Sequence, residues 1–499
     1  MEMQFQRTSR SCLDMALCEV KNTEQTLELR LSDGMPDIGR VVASWGQCVL
    51  RSKEWHPDSV TITGGITVWV LYAPEEGTEP RMTEGWLPFQ MKWDLPQDCP
   101  EGKIRIRMLL RSADARSVSA RKMILRAGVA VMAEAYVPVE EDTWFVEEVP
   151  EDVQLLRSHY PVRFYKAAGE KVFQLDEDLT LPGSAPQPEK LIYYTMSPEV
   201  TDAKVLGDKV VFRGNGNLHL LYRSEEGQIH SWDFPVSFSQ FAQLGNSYSP
   251  EAKVDVAMCV TNLELELDDE GHLRMKSALA GQYLVDDREI LEIIEDAYSP
   301  QRELTKEYRE GEFPVVLESR TESIQPEQTI QADANLAADV RFLPDFPRQY
   351  PNPNGVKMEL PGIFQALYYG DNGNLQGSAA RWEGQQEISA DTQSVLTAVP
   401  MLPGEPQFAL GEGSVTMKTQ LPVRLTTVAR QSIPMVTGIR LEELREPDPG
   451  RPSLILYRAG NGSLWQLAKE NGSTVAAIEK ANNLQEEPEP GRMLLIPVP

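Results

Sequence analysis

The chain has 499 residues, 41% of them hydrophobic and 25% charged, and carries a formal net charge of −27. That length exceeds what one hydrophobic core holds and implies about three or four domains, and the composition excludes wholesale disorder. So much negative charge disfavours nucleic acid and anionic membrane surfaces as partners.

The first stretch, MEMQFQRTSRSCLDMALCEVKNTEQ, has no apolar core of signal-peptide length, and no later apolar run is long enough to span a bilayer. The expectation is a cytoplasmic protein with no transmembrane segment. Cys12, Cys18, Cys48, Cys99 and Cys259 are odd in number and form no Cys-x-x-Cys pair. That usage predicts reduced, mostly buried thiols and no disulfide framework.

Along the chain one pattern recurs. TVWVLYAPEEG contains Leu71, Tyr72 and Gly77; NLHLLYRSEEG contains Leu221, Tyr222 and Gly227; FQALYYGDNG contains Leu367, Tyr368 and Gly373. The three tyrosines are 150 and 146 residues apart. The flanks agree with this. Pro36 precedes Tyr72, and Pro186 precedes Tyr222, by the same 36 residues, although the third copy lacks the proline. Trp86, Trp232 and Trp382 follow the tyrosines at 10 to 14 residues, and Met123, Met275 and Met417 at 51, 53 and 49. Matched spacing on both sides points to three divergent copies of one domain.

Each copy has the chemistry of a β-sheet. SVTITGGITVWVLYA and VTMKTQLPVRLTTV alternate apolar with polar or small residues and are rich in β-branched side chains. PEEGT, SEEGQ and GDNGN supply hairpin turns that need a positive φ at glycine. DREILEIIEDAY, residues 287–298, is the clearest helical periodicity before residue 445. The predicted fold is mainly β: three repeated antiparallel β-sandwich-like domains over 1–160, 161–310 and 311–445, then a small βααβ domain. Between them, 446–453 lies in EELREPDPGRPS, a proline-rich acidic linker expected to be extended and exposed, leaving the last domain free to move.

Signs of catalysis are missing. His56, His159, His219, His230 and His272 are scattered without metal-ligand spacing, and there is no Gly-x-Ser-x-Gly elbow or phosphate-binding loop. The acidic pairs Glu75/Glu76, Glu225/Glu226 and Asp268/Asp269 are neighbours in sequence, point to opposite faces and read as solvated turns. Tyr72, Tyr222 and Tyr368 read as core aromatics rather than a ligand groove. No catalytic residue, cofactor or metal is expected.

Residues 455–499, ILYRAGNGSLWQLAKENGSTVAAIEKANNLQEEPEPGRMLLIPVP, differ from all that precedes them. Ser463 and Thr474 stand where N-caps belong, Gly472 can end the first helix, and Leu464, Leu467 and Ala468, then Val475, Ile478 and Ala481, mark apolar stripes. From Leu454 to Pro497 this stretch resembles a LysM domain, with Ser-Leu-Trp leading into the first helix, Ala-Asn closing the second, and Pro-Gly before the closing strand. The resemblance implies a βααβ fold with Tyr457, Trp465, Leu467, Ile478 and Ile496 in its core, so that Trp465→Ala would unfold it.

LysM domains bind N-acetylglucosamine glycans such as peptidoglycan between the loop before the first helix and the loop before the last strand. Here that resemblance designates Asn461, Gly462, Ser463 and Leu464, together with Leu484, Gln485, Glu486, Glu487 and Arg492. Asn461-Gly462 replaces the family's frequent Gly-Asp, and the second loop is acidic.

LRLSDGMPDIGRVV followed by VWVLYAPEEG resembles the SPOCS domain of spore-coat-associated proteins, the first copy carrying the resemblance best. SPOCS-like copies followed by a terminal LysM domain resemble the SipL-type family of spore coat morphogenetic proteins. That resemblance implies a non-enzymatic scaffold in the mother-cell cytoplasm at the forespore surface. Its LysM domain would bind a SpoIVA-like coat-basement ATPase, with other coat proteins as further candidate partners. The alternative reading is a peptidoglycan-binding protein of the cell wall or spore envelope.

Overall fold

The structure is a computed structural model and describes residues 2–498 apart from 78, 97–98, 269–270, 354, 372, 390–393 and 446–449. Strands carry most of it. The first copy contains β1 (Phe5–Arg30), β2 (Ile38–His56), β3 (Ser59–Pro74), β4 (Arg81–Asp94), β5 (Lys103–Ser119) and β6 (Lys122–Val146). β2, β3 and β4 form a three-stranded antiparallel sheet, while β6 pairs with both β5 and β1. The second copy repeats that order with β7 (Gln154–Leu179), β8 (Pro188–Leu206), β9 (Lys209–Ser224), β10 (Ile229–Gln243), β11 (Lys253–Leu267) and β12 (Leu273–Tyr298).

The third copy is more broken. It contains β13 (Arg302–Ile324), β14 (Glu327–Gln331), β15 (Ala334–Pro344), β16 (Arg348–Asn352), β17 (Gly355–Gly370), β18 (Leu375–Ile388), β19 (Ser394–Pro400), β20 (Gln407–Gly411), β21 (Ser414–Lys418) and β22 (Leu421–Leu444). β15 and β18 flank β17, β13 and β19 flank β22, and β14, β21 and β20 make a small extra sheet. The C-terminal module follows as β23 (Leu454–Arg458), α1 (Leu464–Asn471), α2 (Val475–Asn482) and β24 (Met493–Pro497).

Each copy has its own core. Tyr72, Trp93 and Met123 belong to the first, Phe212, Tyr222 and Met275 to the second, Phe364, Tyr368 and Met417 to the third. The long strands run on past these cores. The first halves of β1, β7 and β13, paired with the last halves of β6, β12 and β22, make three ribbons that pack on one another. Their shared interior holds Cys12, Phe164, Leu291, Phe313 and Met435, and beyond these Val146, Ile294 and Ile439. β1 and β7 also pair through Leu13 and Tyr165, which joins two copies into one six-stranded sheet in the order β11-β12-β7-β1-β6-β5. Positions 160 and 310, placed at boundaries from the sequence, therefore lie inside the continuous strands β7 and β13.

The helix expected over 287–298 is instead the last half of β12. A register shift between Ile294 and Asp296 breaks the period-two alternation, so that Leu291, Ile293, Ile294 and Ala297 are all buried. A bulged strand of this kind imitates a helical stripe.

Burial pushes the thiols of Cys12 and Cys48 up to about 12 and those of Cys18 and Cys259 up to about 11. All are free and carry no thiolate at neutral pH.

Candidate functional site

The repeated motif is divided between two tasks. Leu71, Leu221 and Leu367 leave their own cores and meet in one cluster with Val42, Trp45, Trp69 and Tyr193, where all three copies touch. Tyr72, Tyr222 and Tyr368 turn the other way into the individual cores. The Tyr72 hydroxyl donates to the Pro36 carbonyl at 3.1 Å, and the Tyr222 hydroxyl to the Pro186 carbonyl at 3.1 Å, which is the physical content of the shared 36-residue spacing. Gly77, Gly227 and Gly373 adopt φ of 106°, 83° and 70°, the left-handed turn conformation their motif needs.

Ionisable groups gather at joints between copies, a feature sequence reasoning missed. The Asp255 carboxylate of the second copy faces three guanidinium groups: Arg105 and Arg107 (2.7 Å) of the first copy and Arg424 of the third. Glu134, buried in β6, binds the same two arginines at 3.2 and 3.0 Å. A second knot joins the second and third copies. Buried His219 lies 2.8 Å from Asp233 and 3.4 Å from buried Asp339, which accepts from the Tyr193 hydroxyl at 2.7 Å. Burial and Arg341 act to lower the His219 pKa, but the two carboxylates outweigh them and raise it. His219 and Asp339 are nine-tenths or more buried and lie against each other, an arrangement that ties strands of two copies together. The local signal was present in Glu134, a lone charge within the apolar run VAVMAEAYV.

In the C-terminal module, Ser463 accepts from the Gln466 amide and Thr474 from the Ala477 amide, and Gly472 ends α1 at φ 59°. Leu464, Leu467, Ala468, Ile478, Leu494 and Ile496 form the core under a two-stranded sheet in which Ile455 faces Ile496. Of the residues expected in that core, one lies outside it and another is shared with the β-domains. Tyr457 is exposed, because its cross-strand neighbour Leu494 fills that rung. Trp465 is half-buried: its ring packs against the module's core and also reaches past it to the β-domains.

Trp465 and Lys469, four residues apart on one face of α1, both reach Asp296 on β12, at 2.9 and 2.6 Å. Lys306 of β13 holds the same carboxylate at 2.6 Å, and the Trp465 ring packs edge-on against Tyr298 with centroids 4.8 Å apart. Burial acts to raise the Asp296 carboxyl, but the donors Lys306, Lys469 and Trp465 hold it well below the usual range. The contact is thus stabilised above about pH 4 and is lost only in stronger acid. The structure seats the module on the β-domains, where the sequence suggested free movement; of the linker, 446–449 lie outside the described residues, and 450–453 are exposed.

This arrangement sets an expected result for Trp465→Ala. Leu467, Ala468, Ile478, Leu494 and Ile496 still pack on one another at the module's centre, so its helices persist by circular dichroism while cleavage between Leu444 and Leu454 in limited proteolysis accelerates by about tenfold, as an indole hydrogen bond and an aromatic contact worth about 1–2 kcal/mol are lost. Loss of the helical signal would mean that the module's own fold depends on the indole.

Of the loop residues, Asn461, Gly462, Ser463, Gln485 and Glu486 are exposed, Leu464 is buried and Leu484 is half-buried against the core. Glu487 joins the two loops: its carboxylate oxygens accept from the Leu464 amide at 3.2 and 3.0 Å, placing negative charge at the start of α1. The Arg492 side chain donates instead to the Asn482 carbonyl at the end of α2. Among the described residues no group of three or more His, Cys, Asp or Glu is placed to hold a metal, and no helix is long and apolar enough to cross a membrane.

Residues 187–268 match the family model described as SipL, SPOCS domain. That segment spans β8 to β11, so the match falls on the second copy, whereas the sequence suggested the first. No curated protein and no solved structure matches the chain.

Proposed function

We propose that this chain is a non-enzymatic scaffold of the spore coat, built of three SPOCS-like domains and a LysM-like docking module. The module would hold a SpoIVA-like coat-basement ATPase, with the protein acting at the forespore surface in the mother-cell cytoplasm. The observation that carries the reading is the SPOCS match over 187–268. The placement of ionisable side chains supports it, since Arg105, Glu134, His219 and Asp339 are buried at joints between copies.

The loop face of the module is the proposed contact. Glu487 fills the start of α1 between the loops that hold glycans in LysM domains, which favours a protein partner over a sugar there. Because Glu487 also caps a helix, its replacement would confound binding with about 0.5–2 kcal/mol of lost stability. Asn461→Lys and Glu486→Lys are cleaner, since exposed substitutions move stability by about 0.5 kcal/mol or less. Full-length protein immobilised in lysate of sporulating cells is expected to retain the ATPase, identified by mass spectrometry, and at least one of the two variants to retain several-fold less with unchanged circular dichroism. Equal capture by both variants removes the loop face. Sedimentation of the protein with purified peptidoglycan, without ATPase capture, replaces this reading with the glycan one.

A further inference from the structure

The two edges of the module's sheet are unlike. The Val498 amide donates to the Ser453 carbonyl at 3.0 Å and the Ala459 amide to the Arg492 carbonyl at 2.7 Å. With the register of β23 and β24, these bonds fix the phase: Ser453, Ile455, Tyr457 and Ala459 bond across to β24. The backbone groups of Leu454, Leu456 and Arg458 therefore point away from it. The equivalent outward residue on β24, Leu495, is closed off by the Asn482 side chain, which accepts from its amide at 2.7 Å and donates to its carbonyl at 2.6 Å. β23 has no such cover and pairs with β24 alone among the described residues.

The uncovered edge is also apolar. Leu454 and Leu456 are 52% and 64% exposed, beside exposed Met493. Natural sheets protect exposed edges with charge, proline or a covering element, and β23 has only Arg458 at its end. Arg458 is exposed and makes no ion pair among the described residues.

We propose that β23 is an acceptor edge for an extended segment of another protein, with apolar side chains at alternate positions beside Leu454 and Leu456 and a carboxylate facing Arg458. The segment adds to the module as a third strand, bound by the outward backbone groups of Leu454, Leu456 and Arg458. A second copy of this chain fits less well: pairing β23 antiparallel with itself about Leu456 sets Arg458 against Leu454 and supplies no carboxylate. This edge adjoins the loop face only at Arg458, which lies beside Gly491, and it is independent of the LysM reading.

The test uses full-length protein and a displayed library of random nine-residue peptides, with the enriched peptides then measured on Leu456→Pro. Proline at 456 removes only an outward N–H, so β23 keeps its pairing with β24, which circular dichroism checks. Enriched peptides are expected to alternate apolar residues and to carry Asp or Glu at one end, and to bind Leu456→Pro at least about tenfold more weakly. N-methylation of alternate peptide amides should weaken binding similarly, and Arg458→Glu should shift selection towards basic peptides. Absence of enrichment, or enriched peptides indifferent to Leu456→Pro and to N-methylation, overturns the proposal. So does a wild-type dimer in sedimentation that Leu456→Pro reduces to a monomer, which assigns the edge to a second copy. Coat capture is read with loop variants in which β23 is unaltered, so either result stands alone.

Discussion

Asp255→Ala is expected to lower the stability of the whole β-structure by about 3–5 kcal/mol, the range for removing one partner of a buried ion pair. Among the described residues, Asp255 is the only carboxylate in contact with guanidinium groups of both other copies, Arg105 and Arg107 of the first and Arg424 of the third. Its side chain is 27% exposed, but Arg105 and Glu134 are each 5% exposed, so the site is mostly dry. Without Asp255, Arg105 and Arg107 share Glu134 alone. Burial and the neighbouring Arg105 already act to lower the Arg107 pKa, the mark of a cation short of compensation. The exposed pair Arg445–Glu303 (2.7 Å) provides the contrast, because such pairs contribute about 0–1 kcal/mol. Urea unfolding of the two variants, Asp255→Ala and Glu303→Ala, separates these cases. A cost under about 1 kcal/mol for Asp255→Ala would mean that water enters and solvates the arginines.

Much of the local architecture was legible because it depends on neighbours in sequence. Alternation in SVTITGGITVWVLYA gives β3, and glycine in each motif gives a left-handed turn at 77, 227 and 373. Ser463, Gly472 and Thr474 mark the limits of the module's helices by the same local logic. Alternation also reports which side chains avoid water without saying what covers them. Leu71 and Tyr72 are adjacent and equally apolar in context, yet one serves a joint between copies and the other a single core.

Trp465 shows the same limit. An aromatic residue at the start of α1 reads as module core, and only the fold brings Tyr298 and Asp296 beneath it. The acidic hub was harder still, because Asp255, Arg105 and Arg424 come from three different copies and no local pattern couples them. The open edge of β23 depends on hydrogen-bond phase, which Asn482 makes visible on the opposite strand.

The second large effect is expected for Phe313→Ala, at about 3–5 kcal/mol. Phe313 is fully buried where the three ribbons meet, with Phe164 of the second copy 6.3 Å away between ring centroids and Cys12 of the first copy in the same cluster. The ring also lies over Gly311, where a Cβ would come within 2.7 Å of it, so the backbone is close on one side and the vacated space cannot be refilled from there. A cavity in a shared interior should be felt by every copy that lines it. Hydrogen exchange distinguishes this from ordinary core damage: protection should fall together in the first halves of β1, β7 and β13. Phe364→Ala provides the comparison, being an equally buried ring within the third copy's own core. It should cost a similar amount while leaving β1 and β7 protected. If Phe313→Ala disturbed β13 alone, the ribbons would be independent arms in contact; a joint loss would make them one interior, on which the three copies depend for their common stability.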